Sequence, residues 1–376
     1  MLEKITIKGF RKYKEQMLDN LGHINFIMGS NNVGKTSILE SVYSWACGQN
    51  IIPFMNVPVS RGRYSRIQTP YWIMEEILSV FNDKSKLPFE MSFEGVWNGE
   101  TVKFEHTVYP SDLLTSYDSS YKKMNEQIVP STNEAPPVNN GLQLLLSGMQ
   151  IQQPVLLAKW KIADTNSAQE YDVTSPFGAA SNVRPYVIAK YVDVLAHTAI
   201  TENIQIYGSL KREGILEEVV SNMQSIFPEI SGIDMIPYPD GSQAPISIKK
   251  PDGTALPIYA YGDGVQRWFY ILGAIELYKN SIICIDEIDV GIHPEAQEVF
   301  CSNLIKYAKR NNVQLFITTH NIEFLDHFLA VLDSDKLNGD DIRVITMRDN
   351  GEALQVRTLD ASEAHTLRKE YNLEVR

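Results

Sequence analysis

Residues 29–36 read Gly-Ser-Asn-Asn-Val-Gly-Lys-Thr and satisfy the pattern G-x-x-x-x-G-K-[ST] at every fixed position. Glycines at this spacing let backbone N–H groups curl around a phosphate, and a following helix adds the favourable end of its dipole. Lys35 is then placed to neutralise β- and γ-phosphate charge, and Thr36 to set its hydroxyl on Mg²⁺. A second group is Ile282-Ile283-Cys284-Ile285-Asp286-Glu287. Its four apolar residues read as a strand buried on both faces that delivers two carboxylates at its end. Asp286 would hold the metal through water, and Glu287 would polarise an attacking water as general base. Such an ending is also a common strand–turn, and it is the phosphate loop in the same chain that favours chemistry. The third group, Leu315-Phe316-Ile317-Thr318-Thr319-His320, again ends an apolar strand on a polar side chain. A strand-end histidine is often structural only. Here one helix, expected over 295–310, separates it from the carboxylates and sets the two strands side by side, where His320 could bond a γ-phosphate and the water.

These groups need an α/β framework to hold them. Residues 2–8 alternate apolar and polar as a half-buried strand does, residues 23–28 form a second strand, and a helix pattern follows from Lys35 to Ala46. Segments 89–95 and 101–109 flank Asn98-Gly99, a strong hairpin signal. From Pro110 to Pro185 proline, serine and asparagine recur without helical period, which reads as an irregular insertion. Helical spacing returns over 185–226, a hairpin is expected over 233–250 around Asp240-Gly241, and α/β texture resumes after Pro257. No internal repeat and no sustained heptad run is present, so long coiled-coil arms are excluded. The expected organisation is an α/β nucleotide-binding head with a mixed sheet, formed by 1–109 and 255–376. It is interrupted over 110–254 by hairpins, irregular loops and a helical lobe.

Composition narrows the setting. The 376 residues are 44% apolar, enough for a sizeable core. A net charge of −12 argues against a protein that coats nucleic acid by general electrostatics. Lys8, Arg11, Lys12 and Lys14 form a local basic patch that fits a solvated strand end as well as a functional surface. Cys47, Cys284 and Cys301 show no metal-ligand spacing and no paired framework. The opening residues lack the apolar core of a signal peptide, and no apolar run is long enough to span a bilayer. A cytoplasmic protein without membrane contact is expected.

The long stretch between Lys35 and Asp286 discriminates among phosphate-loop folds, because compact ones place the two motifs close together. Tyr261-Gly-Asp-Gly-Val-Gln-Arg267 lies just upstream of the acidic strand. Taken alone, it is equally a glycine turn ahead of a helix. Together, KGFRKY, GSNNVGKTSILE, YGDGVQRWFYIL, IICIDEIDVGIHP and FITTHN resemble the ABC-type ATPases related to the OLD family and RecF. These are often grouped with SMC-like ATPases that lack long coiled coils. The likeness covers 1–45 and 255–325, and the closing LDASEAHTLRKEYNLEVR looks like the tail of small bacterial ATPases of this group.

The resemblance implies an ABC-type head with ATP and Mg²⁺ as cofactors. Gly29, Asn31, Asn32, Gly34, Lys35, Thr36 and Ser37 would cradle ATP, with Arg11 near the nucleotide. Thr36 and Asp286, and Gln68 as a candidate Q-loop residue, would serve the metal. Glu287 and His320 would join Lys35 in catalysis. The heptapeptide becomes a signature loop in which Gly262 stands where serine is usual, Gly264 keeps a close backbone approach, and Arg267 braces the helix or a partner's site. Asp289, Gly291 and His293 would fall in a segment crossing the interface of an ATP-sandwiched homodimer. The group's members also imply a sensor or motor for a separately encoded effector, in phage defence or a DNA-linked process. A RecF-like repair ATPase is the near alternative, with DNA as a possible partner. An OLD-type nuclease is a further one, for which Asp333-Ser334-Asp335 offers paired carboxylates. Too few residues follow His320 for its Toprim domain, so that triplet reads as a surface loop.

Overall fold

The computed structural model describes residues 1–51, 53–54, 79–83, 85, 88–110, 158–172, 183–241, 244–334, 339, 341–350 and 354–371. Strands β1 (Leu2–Phe10) and β2 (Tyr13–Leu18) precede β3 (Ile24–Gly29) and helix α1 (Lys35–Cys47). Then come β4 (Phe89–Trp97), β5 (Glu100–Pro110), β6 (Ala158–Ala163), β7 (Ala168–Asp172) and β8 (Ala189–Val192). Helices α2 (Ile200–Arg212) and α3 (Leu216–Gln224) lead to the short strands β9 (Gly232–Met235), β10 (Ile246–Lys249) and β11 (Ala255–Pro257). The last third alternates: α4 (Asp263–Leu277), β12 (Ile282–Ile285), α5 (Pro294–Arg310), β13 (Gln314–Thr318), α6 (Ile322–Ser334), β14 (Ile342–Asp349), β15 (Leu354–Asp360) and α7 (Ala361–Tyr371). Contacts divide the chain into two compact units, one of Met1–Lys4, Leu18–Ala46 and Val187–Arg376, the other of Ile5–Met17 and Cys47–Tyr186.

The first unit is built on a sheet of order β15-β14-β3-β13-β12-β8. Only the β14–β15 pair is antiparallel; β8, β12, β13, β3 and β14 run parallel. Every residue of β3, β12 and β13 is buried, which is why INFIMG, IICI and QLFIT are almost continuously apolar rather than alternating. Two exceptions are satisfied internally. Gln314 Oε1 accepts from Leu2 N–H while its Nε2 donates to the Leu2 and Gly22 carbonyls, and Asn25 Oδ1 accepts from Gly22 N–H while its Nδ2 donates to the Gly22 and Leu315 carbonyls. Register sets Ile285 beside Ile317 and Ile317 beside Phe26. Three neighbouring strands therefore end at one edge. β3 lies between β13 and β14, so strand order reverses there, the place where open α/β sheets receive ligands.

Helix α4 backs this sheet, with every residue from Val265 to Glu276 buried. It meets α2 at Gly273, where a Cβ would lie 2.5 Å from Ile206 Cγ2. The expected hairpin around Asp240-Gly241 is the antiparallel pair β9–β10, extended by β11. Residues 185–226 differ from expectation at their start. Ala189–Val192 is too short to display a period, and it becomes the edge strand β8 through parallel pairing with β12 (Ile282 opposite Ala189). Residues 187–254, assigned to the insertion from sequence texture, lie in the first unit. Asp333 and Ser334 are the last residues of α6 rather than a surface loop, because the apolar period of IEFLDHFLAVL carries the helix through them. Asp335 lies outside the described residues.

The second unit holds a sheet of order β2-β1-β4-β5-β6-β7. Its β4–β5 hairpin turns on Asn98 (φ 50°) and Gly99 (φ 81°), the two positive angles of a type I′ turn. Residues 158–172, within the stretch read as irregular, form the antiparallel pair β6–β7. Phe54, Phe93 and Trp160 pack around His106, with Phe10 behind Phe93, and His106 Nδ1 accepts from Trp160 Nε1 at 3.2 Å. Burial pushes the His106 pKa down to about 3. In the basic patch, Lys8 pairs with Glu15 at 2.9 Å. Among the described residues the three cysteines are buried and form no disulfide, and no helix is long and apolar enough to cross a membrane.

Candidate functional site

The chain turns from β3 into α1 through Gly34, whose φ of 107° is open to glycine and strained for any residue with a Cβ. Ile38 N–H donates to the Gly34 carbonyl, so the helix starts with Lys35 already in its first turn. Lys35 is 5% exposed. Its Nζ donates to the carbonyls of Gly29 (2.8 Å) and Ser30 (2.9 Å) and lies 3.2 Å from His320 Nδ1. An ammonium only donates, so Nδ1 is the acceptor and the ring proton sits on Nε2. That nitrogen lies 3.2 Å from Glu287 Oε1. One line of contacts thus joins the phosphate loop, the end of β13 and the end of β12.

Asp286 lies one residue beyond β12. Its Oδ1 accepts from Thr36 Oγ1 (3.3 Å) and Thr318 Oγ1 (2.5 Å). The Thr318 hydroxyl also accepts from Glu287 N–H at 2.9 Å. Glu287 has φ 48°, a left-handed conformation that costs a residue with a side chain about 1–2 kcal/mol. Its carbonyl and that of Asp286 each accept from Arg267 Nη2 at 2.8 Å, while Arg267 Nη1 donates to Val194 at 2.6 Å. Arg267 is 1% exposed. Burial pushes its pKa down, and Asp193, Asp289, Asp286 and Glu287 oppose that.

Gly262 caps α4 with its Cα facing open space. Gly264 has no such room: a Cβ there would lie 2.4 Å from the Gly291 carbonyl. Asp289 accepts from Thr319 Oγ1 at 2.5 Å, and His293 is the N-cap of α5, accepting from Glu295 N–H.

Of the residues expected from the sequence, Gly29, Lys35, Thr36, Asp286, Glu287 and His320 come together. Gly34 shapes the loop. Asn31 and Asn32 are exposed on it, and the Ser37 carbonyl receives the Ser41 hydroxyl. Gly262 and Gly264 sit at the start of α4 and pack, through Gly264, on Gly291. Arg11 belongs to the second unit, where its guanidinium lies 5.6 Å from the Phe10 ring. Gln68 lies outside the described residues. Sequence reasoning passed over Thr318, Thr319 and the Val194 carbonyl. The signal for the threonines was present: two hydroxyls closing an apolar strand immediately before His320.

The donor set fits magnesium. Thr36 and Asp286 offer a hydroxyl and a carboxylate in contact, both hard oxygens, and no group of three acidic, histidine or cysteine side chains suited to a metal occurs among the described residues. A hydroxyl beside a carboxylate suits a cation that takes its further ligands from phosphate and water.

Residues 211–326 match the family described as "AAA domain, putative AbiEii toxin, Type IV TA system", and residues 1–45 match "AAA ATPase domain". The chain is 23% identical over 350 residues to an ATP/GTP phosphatase of Helicobacter pylori, covering 87% of each. An uncharacterized protein of Methanocaldococcus jannaschii is 34% identical over 93 residues, 25% of this chain and 79% of that one. Among solved structures, an SMC head bound to the C-terminal winged-helix domain of ScpA aligns over 96% of this chain and 98% of its own. The TM-score is 0.51 at 16% identity, a likeness of fold.

Proposed function

We propose that the chain is an SMC-like ABC ATPase that hydrolyses ATP at the Lys35–His320–Glu287 line of contacts. The observation that carries this reading is that line itself, with Asp286 and Thr36 beside it. Lys35, now bonded to two loop carbonyls, would turn its charge to the β- and γ-phosphates. Thr36 and Asp286 would hold Mg²⁺, which supplies charge neutralisation at the phosphoryl oxygens when bound. Glu287 would take a proton from the attacking water, and His320 Nε2–H would hold the Glu287 carboxylate in place. Asn31, Asn32, Gly29, Gly34 and Ser37 belong to the cradle in this reading, and Arg11 and Gln68 remain candidates for nucleotide and metal.

The pair of glycines at the start of α4 would serve a second copy. In this reading ATP is sandwiched between the phosphate loop of one protomer and α4 of the other, so binding favours closure and hydrolysis favours opening. A separately encoded effector would read that cycle. The toxin–antitoxin wording of the matched family and the partner-bound SMC head support such a partner. Phage defence is the proposed setting.

The test is turnover and mass measured together. Wild type should hydrolyse ATP, and Glu287→Gln should lower turnover to a small residual rate and accumulate as an ATP–Mg²⁺ dimer by light scattering. A mass unchanged by ATP–Mg²⁺ in that variant would refute the sandwich. Stimulation by DNA that weakens with salt would redirect the effector reading to a DNA-linked role.

A further inference from the structure

We propose that Thr318 and Arg267 are positioning residues for hydrolysis, pinning the backbone on both sides of Glu287, and that Arg267 makes this pin part of the helix carrying Gly262 and Gly264. The inference rests on the reading of Glu287 as general base. Glu287 is the one residue of the site in a left-handed conformation that also carries the chemistry, and each side of it is held. Its N–H goes to Thr318 Oγ1 and its carbonyl to Arg267 Nη2. The Asp286 carbonyl shares Nη2, and Asp286 N–H donates to Val192 in β8.

Thr318 is fully buried and uses its hydroxyl in both directions, accepting from Glu287 N–H and donating to Asp286 Oδ1. Serine could do the same; valine, of nearly the same shape, could do neither. The planar guanidinium of Arg267 reaches three carbonyls on two segments, which a lysine ammonium on a flexible stem does not reproduce. Arg267 lies in the second turn of α4, which is buried from Val265 to Glu276. Contact made at the exposed start of α4 is thereby delivered to Glu287 of the same chain, without passing through its own phosphate loop.

Steady-state ATP hydrolysis and binding of a fluorescent ATP analogue should be measured for wild type, Glu287→Gln, Thr318→Val, Thr318→Ser, Arg267→Lys and the Thr318→Val/Glu287→Gln pair. Thr318→Val should lower kcat about ten- to a hundredfold, as a displaced catalytic group does, with KM and analogue affinity within about twofold. Thr318→Ser should restore most of the rate, Arg267→Lys should lower kcat in the same pattern, and the pair should be no slower than Glu287→Gln. Wild-type turnover by Thr318→Val beside a strongly slowed Glu287→Gln would overturn the proposal and leave the base reading standing. So would a loss that serine does not restore, or an undiminished further loss in the pair. Wild-type turnover by Glu287→Gln would overturn the base reading and the pin with it. Should Thr318→Val melt far below wild type, Arg267→Lys decides the question by the same split of kcat from KM.

Discussion

At the scale of single residues, the two glycines of the signature-like loop are not equivalent. Gly262 has φ −61° and ψ 158°, angles any residue adopts, and its Cβ would meet nothing within 4 Å. Gly262→Ser should therefore leave the fold intact and raise stability by a few tenths of a kcal/mol through N-capping, readable in a denaturant midpoint. If the usual serine donates to a nucleotide across a dimer, the same variant should also strengthen ATP-dependent pairing. Gly264→Ala should behave in the opposite way, costing about 1–3 kcal/mol by forcing a methyl into the Gly291 carbonyl. A bulky residue at 264 thus disturbs its own chain first, and Gly262 is the cleaner probe of pairing. A Gly264→Ala protein as stable as wild type would show that the 289–293 turn yields freely.

At the scale of elements, α4 is buried from Val265 to Glu276 and packs closely on α2. Gly273 lets α2 approach until Ile206 Cγ2 occupies the space of a side chain. Gly273→Val should lower stability by about 2–3 kcal/mol through overpacking, and adding Ile206→Ala should recover part of it. Equal and additive losses in thermal melts would show that the two helices do not share that space. This contact also marks the limit of what could be read in advance. Strands β3, β12 and β13 were legible because burial on both faces demands an unbroken apolar run, and α1 and α5 because their periods are long. The Asn98-Gly99 hairpin was legible because a type I′ turn asks for those residues. β8 was not, since AKYV takes its strand character from pairing with β12. Lys35, Asp286, Glu287 and His320 could be expected together because a phosphate-loop pattern and two apolar runs put them at the ends of neighbouring strands. Thr318 and the reach of Arg267 to Val194 depend on register and on segments far apart in the chain, which no local pattern carries.

At the scale of the whole molecule, stability should respond to acid through His106. Its pKa is lowered from 6.5 to about 3 by complete burial, so the unfolded chain binds the proton that the folded chain refuses. The stability it permits is fully present above pH 6.5 and is progressively lost as pH falls toward 3, on the order of a few kcal/mol over the interval. His106→Gln should flatten that acid limb in urea titrations between pH 4 and pH 7, and an unchanged limb would assign it to other groups. A different consequence follows from how the first unit is assembled. Its sheet sets β3, drawn from the start of the chain, between β13 and β14, drawn from its end. A gene divided between residues 110 and 158 would yield two polypeptides, one with Lys35 and the other with Asp286, Glu287 and His320. Neither piece could turn over nucleotide alone. Mixed, they would regain activity only by interleaving their strands in one sheet, so the enzyme's own turnover would serve as the reporter of fragment complementation.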